Sequence, residues 1–313
     1  MPETIKKIPE KFMKKYYKQG YRIVGKNQHS AVKICRWTRE SLRHGRVCFK
    51  QKWYGIESHR CLQCTPALFW CTHRCEFCWR SHSATLGSDM KGFNIDEPSE
   101  MIDGFINAQR LLLTGFKGNL KVDRKKWEEA QNPTNMAISL AGEPTLYENL
   151  SDLIKEAHSR DMTTFLVTNG TRPDRLENLK EEPTQLYISL CAPDKETYQR
   201  IHNPLISEGW KKLNDSLELM NNFDCKTVIR VTLVKGLNMK NPEKYAKLIL
   251  KARPDFVEPK GYMWVGESQK RLPLDSMPFH EDVVEFAKKL SEHTGYNLKD
   301  EFKPSRVVLL TKK

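Results

Sequence analysis

The chain has 313 residues, 39% hydrophobic and 29% charged, enough to bury a sizeable core in one large domain with extensions or in two ordinary ones. It lacks a run of about 18 apolar residues and an apolar segment near its start, which excludes membrane-spanning and secreted readings and predicts a cytoplasmic protein. The net charge of +13 is concentrated: residues 1–60 carry sixteen Lys/Arg against Glu3, Glu10, Glu40 and Glu57, a net of +12.

In chain order, residues 5–20 read as a helix. Phe12, Tyr16, Tyr17, Tyr21, Trp37, Trp53 and Tyr54 interleave with the basic residues, a mixture suited to phosphate contact and base stacking, or else a basic face around an aromatic mini-core. Residues 30–60 look irregular and cysteine-bearing. Cys35, Cys48 and Cys61 recur at intervals of thirteen. That is too wide for one tight loop, yet three such segments can converge on a cluster; buried free thiols are the alternative. Lys50 and Lys52 lie just after Cys48, so a cluster ligated there has an amine nearby.

The apolar run Ala67 to Trp70, taken as the first strand of the series, leads into Cys71-Thr-His-Arg-Cys75-Glu-Phe-Cys78. Three cysteines on one short loop turn their sulfurs to a common centre and suit a cluster held by thiolates. A four-iron cluster takes four such ligands, so three leave one iron open for a small molecule. Structural zinc competes, since Cys61-Leu-Gln-Cys64 and Cys75-Glu-Phe-Cys78 also form two ribbon-like knuckles.

Beyond this loop Met101 to Leu113 is helical by its apolar spacing. Strands follow at Met136 to Leu140, Thr163 to Val167, Leu186 to Leu190, Val228 to Val234 and Phe256 to Pro259, each preceded by a helix. Six β/α repeats imply a parallel sheet with right-handed crossovers, either an open barrel or a doubly wound sheet. Function then gathers at the C-terminal strand ends. There stand Ala141-Gly142-Glu143-Pro144-Thr145, whose glycine permits close backbone approach and whose acid can pair with an ammonium, then Thr168-Asn169-Gly170, Ser189 and Glu258. Arg230, inside a strand, calls for a buried carboxylate partner. Residues 115–130 form a basic insertion expected as a surface loop. The tail after Pro278 gives one long amphipathic helix and a final strand, Val307 to Leu310.

The spacing Cys-x3-Cys-x2-Cys with Phe77 before the third cysteine resembles the radical S-adenosylmethionine (SAM) superfamily. Together with Cys35, Cys48 and Cys61, Ser139-Leu-Ala-Gly-Glu-Pro-Thr, Val167-Thr-Asn-Gly-Thr and Leu190-Cys-Ala-Pro-Asp, nearly the whole chain resembles the tRNA 4-demethylwyosine synthases in their compact archaeal form. The resemblance implies an α/β fold, a partial (β/α)6 barrel over residues 61–275, with a basic, cysteine-bearing N-terminal extension at 1–60 and a C-terminal helix and strand, 276–313, packed on the barrel. It implies two 4Fe-4S clusters: one on Cys71, Cys75 and Cys78 that binds SAM, and an auxiliary one on Cys35, Cys48 and Cys61. It places Gly142, Glu143, Thr168, Asn169, Ser189, Arg230 and Glu258 at SAM, with Ala141 replacing a glycine of the family's turn. The implied reaction converts N1-methylguanosine, next to the anticodon of tRNA-Phe, into 4-demethylwyosine with two carbons of pyruvate, as a step of wybutosine biosynthesis. Pyruvate needs an anchor, narrowed to Lys50, Lys52 or the auxiliary cluster: the expectation is that the auxiliary iron chelates its carboxylate and ketone oxygens, with Lys50 as a catalytic lysine close enough to stabilise charge or form an imine. The flavodoxin-like module of eukaryotic members finds no room here, so a separate electron-donor protein is expected, with the enzyme a monomer. A zinc-knuckle tRNA-binding protein without catalysis, or another radical SAM RNA-modifying enzyme, is the competing reading.

Overall fold

The computed structural model describes residues 7–312, and the chain divides into two compact units. The first comprises the chain up to Trp70 together with Asp89–Leu166; the second comprises Cys71–Ser88 and the chain from Val167 onward.

In the first unit β1 (Arg22–Val24) and β2 (Ser30–Val32) form an antiparallel hairpin whose second strand pairs antiparallel with β3 (Cys61–Thr65). Strands β3, β4 (Asn135–Ile138) and β5 (Thr163–Thr168, its last two residues belonging to the second unit) then run parallel. All four residues of β4 are buried, as a central parallel strand covered on both faces requires. The helix Pro98–Leu113 supplies Met101, Ile102, Phe105 and Leu113 to the core, and Leu150–Ser159 supplies Leu150, Leu153, Ile154 and Ala157, each set at the three- and four-residue spacing of one helix face.

Three expectations are corrected here. The first parallel strand is Cys61–Thr65, not Ala67 to Trp70. Thr65 ends it: its hydroxyl donates to the Ala141 carbonyl at 2.5 Å and accepts from the Ala67 N–H at 3.2 Å, turning the apolar run into a buried bend. Residues 30–60 are not irregular, because the helices Arg36–His44 and Phe49–Tyr54 occupy much of them, ended by Gly45 and Gly55 at φ 65° and 75°. Helices this short carry little periodicity to read. The basic insertion lies at the surface as expected, but it is partly helical and anchored rather than a loop throughout. Asp123 caps its helix Arg124–Glu129, and Phe116, Val122 and Ala130 join Ile34, Leu42 and Leu113 in a buried cluster flanked by Trp127.

The helix expected over residues 5–20 spans Glu10–Lys18; residues 5 and 6 lie outside the described residues. Tyr16 is buried edge-on to Tyr21 and Phe69, at ring distances of 4.9 and 5.3 Å, so these aromatics form the mini-core while Tyr17 stays exposed.

In the second unit β6 (Gln185–Ser189), β7 (Lys226–Leu233) and β8 (Phe256–Gly261) are parallel. The tail helix is His280–Thr294, and β10 (Val307–Thr311) pairs antiparallel with β8. A strand absent from the sequence reading, β9 (Asn297–Phe302), forms the edge beside β10. Its polar, exposed residues suit an edge and hide the apolar alternation that marks buried strands. Among the described residues no helix is long and apolar enough to cross a membrane.

Candidate metal centres

The first unit brings Cys35, Cys48 and Cys61 together with Lys50. Cys35 and Cys48 hold matching positions, each the extended residue immediately before a helix. Their sulfurs therefore lie at helix N-termini, where the dipole favours an anion. The Cys48 N–H donates to Ser58 Oγ at 2.8 Å. Cys61 opens β3, and Asn135 Nδ2 donates to its sulfur at 3.2 Å. Burial first, then Cys35 and Cys61, push the Cys48 thiol up to about 12 against the N–H and ammonium of Lys50. Burial and Cys35 push Cys61 up to about 12 as well, again against Lys50 and Asn135. Cys48 and Cys61, thiols that resist ionising alone, fit iron, which takes the proton's place and supplies the missing positive charge.

Lys50 is half-buried, with Nζ 4.1 Å from the centre of the Phe165 ring, whereas Lys52 on the same helix is exposed. Also in the first unit, Gly142 has φ 74°, and a Cβ there would lie 1.9 Å from the Ala67 carbonyl oxygen, so only glycine fits. The Glu143 N–H donates to the Trp70 carbonyl at 2.9 Å. Its buried carboxylate accepts from the Thr145 N–H at 3.2 Å and hydroxyl at 2.7 Å, which fixes its direction.

The second unit holds the loop Cys71 to Cys78. The Cys71 N–H donates to Gly87 at 3.0 Å, Arg74 to His202 at 2.9 Å and Glu76 to Ile201 at 2.9 Å. Arg80 is fully buried and donates to the His73 carbonyl at 2.9 Å, and Arg271 donates to the carbonyls of Glu76, at 3.1 Å, and Cys78. A loop so fixed presents its thiols without a search. Burial pushes the Cys75 thiol well up, Cys78, Cys71 and Cys191 add to the rise, and Arg80 opposes it. Within this unit the thiols that act on Cys75 are those of its own loop and Cys191. Cys191, quoted in the sequence only as part of Leu190-Cys-Ala-Pro-Asp and given no role there, belongs to this neighbourhood. His202, with Nδ1 3.1 Å from the Cys75 sulfur, was likewise missed, lying over 120 residues away in sequence.

Asn169 Nδ2 donates to Thr72 Oγ1 at 2.8 Å and lies 3.9 Å from the Cys71 sulfur, while its Oδ1 accepts from the Thr171 N–H at 3.0 Å. Thr168 Oγ1 accepts from the Gly170 N–H at 3.1 Å, closing the turn. Ser189 ends β6 opposite Arg230 in register. Arg230 finds the carboxylate it called for: it donates to Glu258 through Nε at 3.1 Å and through Nη2, over the Tyr187 ring, whose hydroxyl donates to Glu258 at 3.2 Å.

Comparison with known proteins bears on the family and the fold. Residues 66–249 match the radical SAM superfamily and residues 251–312 match wyosine base formation. The S-adenosyl-L-methionine-dependent tRNA 4-demethylwyosine synthase of Pyrococcus horikoshii is 54% identical over 307 residues, 97% of this chain and 89% of its own. A solved structure of TYW1 with a lysine-pyruvate adduct bound has a TM-score of 0.88 at 39% identity, covering 98% of this chain and 97% of that one. A crystal structure of archaeal TYW1 gives 0.80 at 36%, covering 97% and 96%. The fold is accordingly the α/β partial barrel of radical SAM proteins.

Proposed function

The chain belongs to the S-adenosyl-L-methionine-dependent tRNA 4-demethylwyosine synthases, and from that premise we propose that it converts N1-methylguanosine beside the anticodon of tRNA-Phe into 4-demethylwyosine, with pyruvate as the two-carbon donor. In this reading Cys71, Cys75 and Cys78 hold a SAM-binding 4Fe-4S cluster, and Cys35, Cys48 and Cys61 hold a second. When bound, cluster and SAM together supply the alkyl radical that removes hydrogen from an N-methyl group, work that no side-chain acid or base performs.

The chain's own residues bind and orient. Gly142, the residue that fits against the Ala67 carbonyl, forms the turn that meets SAM, and Glu143, its carboxylate fixed by Thr145, receives the SAM ammonium. Thr168, Asn169 and Ser189 offer polar atoms at the strand ends, and the Arg230–Glu258 pair holds β7 and β8 in register beside them. Lys50 condenses with the pyruvate ketone, releasing water and tethering the donor as an imine. The substrate's methylene radical bonds to the imine carbon, and the bond to the carboxylate breaks to restore the imine, expelling a carbon dioxide radical anion. That anion takes one electron from the donor protein and one proton from water to leave as formate; the substrate's exocyclic amine then displaces the lysine as the ring closes. The basic segment of residues 1–60 meets tRNA phosphates. We assign electron delivery to a separate protein and take the enzyme to be a cytoplasmic monomer.

The observation that carries the lysine assignment is that the Lys50 ammonium acts on both Cys48 and Cys61, whereas Lys52 is exposed. The adduct in the related TYW1 structure supports lysine chemistry in that protein. Wild-type protein should contain about eight irons, the four-iron stoichiometry of two clusters, and borohydride with labelled pyruvate should mark Lys50. Lys50→Ala should keep the iron and still cleave SAM, yet take no label and make little tricyclic base. Cys48→Ala should lose about half the iron by the same stoichiometry and all product. Normal product from Lys50→Ala would overturn the assignment, and colourless protein with stoichiometric zinc would overturn the enzyme.

A further inference from the structure

His202 is the last residue of the helix Lys195–His202 and is 2% exposed. Its Nδ1 lies 3.1 Å from the Cys75 sulfur, and its backbone carbonyl accepts from the Arg74 N–H, so one residue contacts the cysteine loop twice. The ring cannot easily turn. It stacks on His73 at 4.6 Å and 27° between planes, and Phe77 meets it edge-on at 5.9 Å. His73 is itself held by the Tyr198 hydroxyl, 2.7 Å from its Nε2. The other ring nitrogen, His202 Nε2, is buried with no hydrogen-bond partner among the described residues.

A sulfur bound to iron carries no proton and can only accept. The ring must then keep its proton on Nδ1, aimed at Cys75, and leave the lone pair on the buried Nε2. Hydrogen bonds to cluster sulfurs are among the factors that set reduction potential, because they withdraw charge from the ligand and favour the more negative, reduced cluster. We propose that His202 is a positioning residue that donates from Nδ1 to the Cys75 sulfur and raises the reduction potential of the cluster on Cys71, Cys75 and Cys78, with His73 and Tyr198 holding its ring. The proposal rests on the reading that these three cysteines hold that cluster.

The test is a redox titration of the reconstituted protein followed by its electron spin signal, with the SAM cluster identified by the change in that signal on adding SAM. His202→Phe keeps a ring but has no donor; His202→Asn places an amide nitrogen near the position of Nδ1. Both variants should keep wild-type iron and sulfide. The SAM cluster's midpoint should move to a more negative value in His202→Phe and return toward wild type in His202→Asn, while the auxiliary cluster's midpoint stays fixed. An unchanged midpoint in His202→Phe, or an equal shift in both variants, overturns the proposal. So does loss of iron in His202→Phe with stable folding, which would make the histidine a ligand, as would stoichiometric zinc that depends on His202, since His73, Cys75 and His202 could together hold an ion. Should either variant fail to fold, pulsed spin resonance on the reduced wild type with nitrogen-15 histidine gives the answer. A weak coupling is the result of a hydrogen bond, and a strong or absent coupling refutes it. Wild-type protein without iron would refute the cluster reading itself, an outcome distinct from iron-replete variants with unmoved potentials.

Discussion

Asp194 begins the helix that carries Tyr198 and His202, so a single cap orients both rings. Its Oδ1 accepts from the Thr197 N–H at 2.9 Å, and its Oδ2 accepts from Lys244 Nζ at 3.0 Å. Burial pulls the carboxyl upward, but the Thr197 donors and the Lys244 ammonium outweigh it and hold the group at about 2. A carboxyl held below its unfolded value favours folding only while ionised. Its contribution is therefore complete above roughly pH 4, near the unfolded value, and disappears as pH falls through the folded one. Asp194→Ala should cost about 1 kcal/mol in denaturant unfolding at neutral pH. That gap should narrow between roughly pH 4 and pH 2, while Asp194→Asn keeps most of the cap at every pH. A gap independent of pH would mean that the carboxylate's charge does not matter. At this scale the sequence revealed residues whose need is intrinsic, such as the strand arginine Arg230 that required an acid. It hid His202, since an imidazole at a helix end announces no partner.

The basic insertion is the element whose role changed most. Trp127 Nε1 donates to the Leu113 carbonyl at 2.9 Å, the Asp123 N–H donates to Leu42 at 2.9 Å, and Glu129 lies 2.7 Å from His59 Nε2. Leu42 lies on the helix that starts after Cys35, and His59 is two residues before Cys61. The insertion therefore clamps two of the three segments that carry the auxiliary cysteines. Trp127→Ala removes a large, partly buried ring from this cluster and should destabilise the first unit by about 2–4 kcal/mol. The sharper readout is iron release to a chelator. Iron of the proposed second cluster should leave Cys35, Cys48 and Cys61 faster than in wild type, with the second unit's rate unchanged; equal acceleration at both sites would show a general loosening instead. Charge composition correctly marked this segment as basic, but its apolar anchors Phe116, Val122, Trp127 and Ala130 are too widely spread for a helical pattern.

Across the molecule, charge is the property most plainly written in the sequence. The N-terminal sixty residues carry nearly all of the net +13. Their structure refines which groups can meet a polyanion. Tyr16 and Tyr21 are buried, whereas Lys11, Lys14 and Lys18 are exposed on one short helix, Lys14 within 2.8 Å of Glu10 in an exposed pair of little energetic weight. Replacing these three lysines with alanine should weaken tRNA binding uniformly and lower the slope of log K against log salt by about 2–3, one counterion released per phosphate met. Iron content should not change. A slope that stays the same would move the tRNA surface elsewhere, with Lys117, Lys121, Arg124 and Lys125 the next group to replace.

What the sequence determined by itself was chemistry set by local spacing and by repeats: the three-cysteine loop, the alternation of strands and helices, the glycine before Glu143, and the basic start of the chain. Each is legible because neighbours in the chain are necessarily neighbours in space, or because burial on both faces demands continuous apolar strands. Tertiary structure alone decided which distant groups share a site. It brought Cys35, Cys48, Cys61 and Lys50 together across 27 positions, counted from Cys35 to Cys61 in steps and ends, and it set His202 on Cys75 and Arg271 on the same loop. Those meetings depend on how short helices end and how strands pair. Contacts of that kind arise from packing the whole chain at once, so no window of sequence contains them.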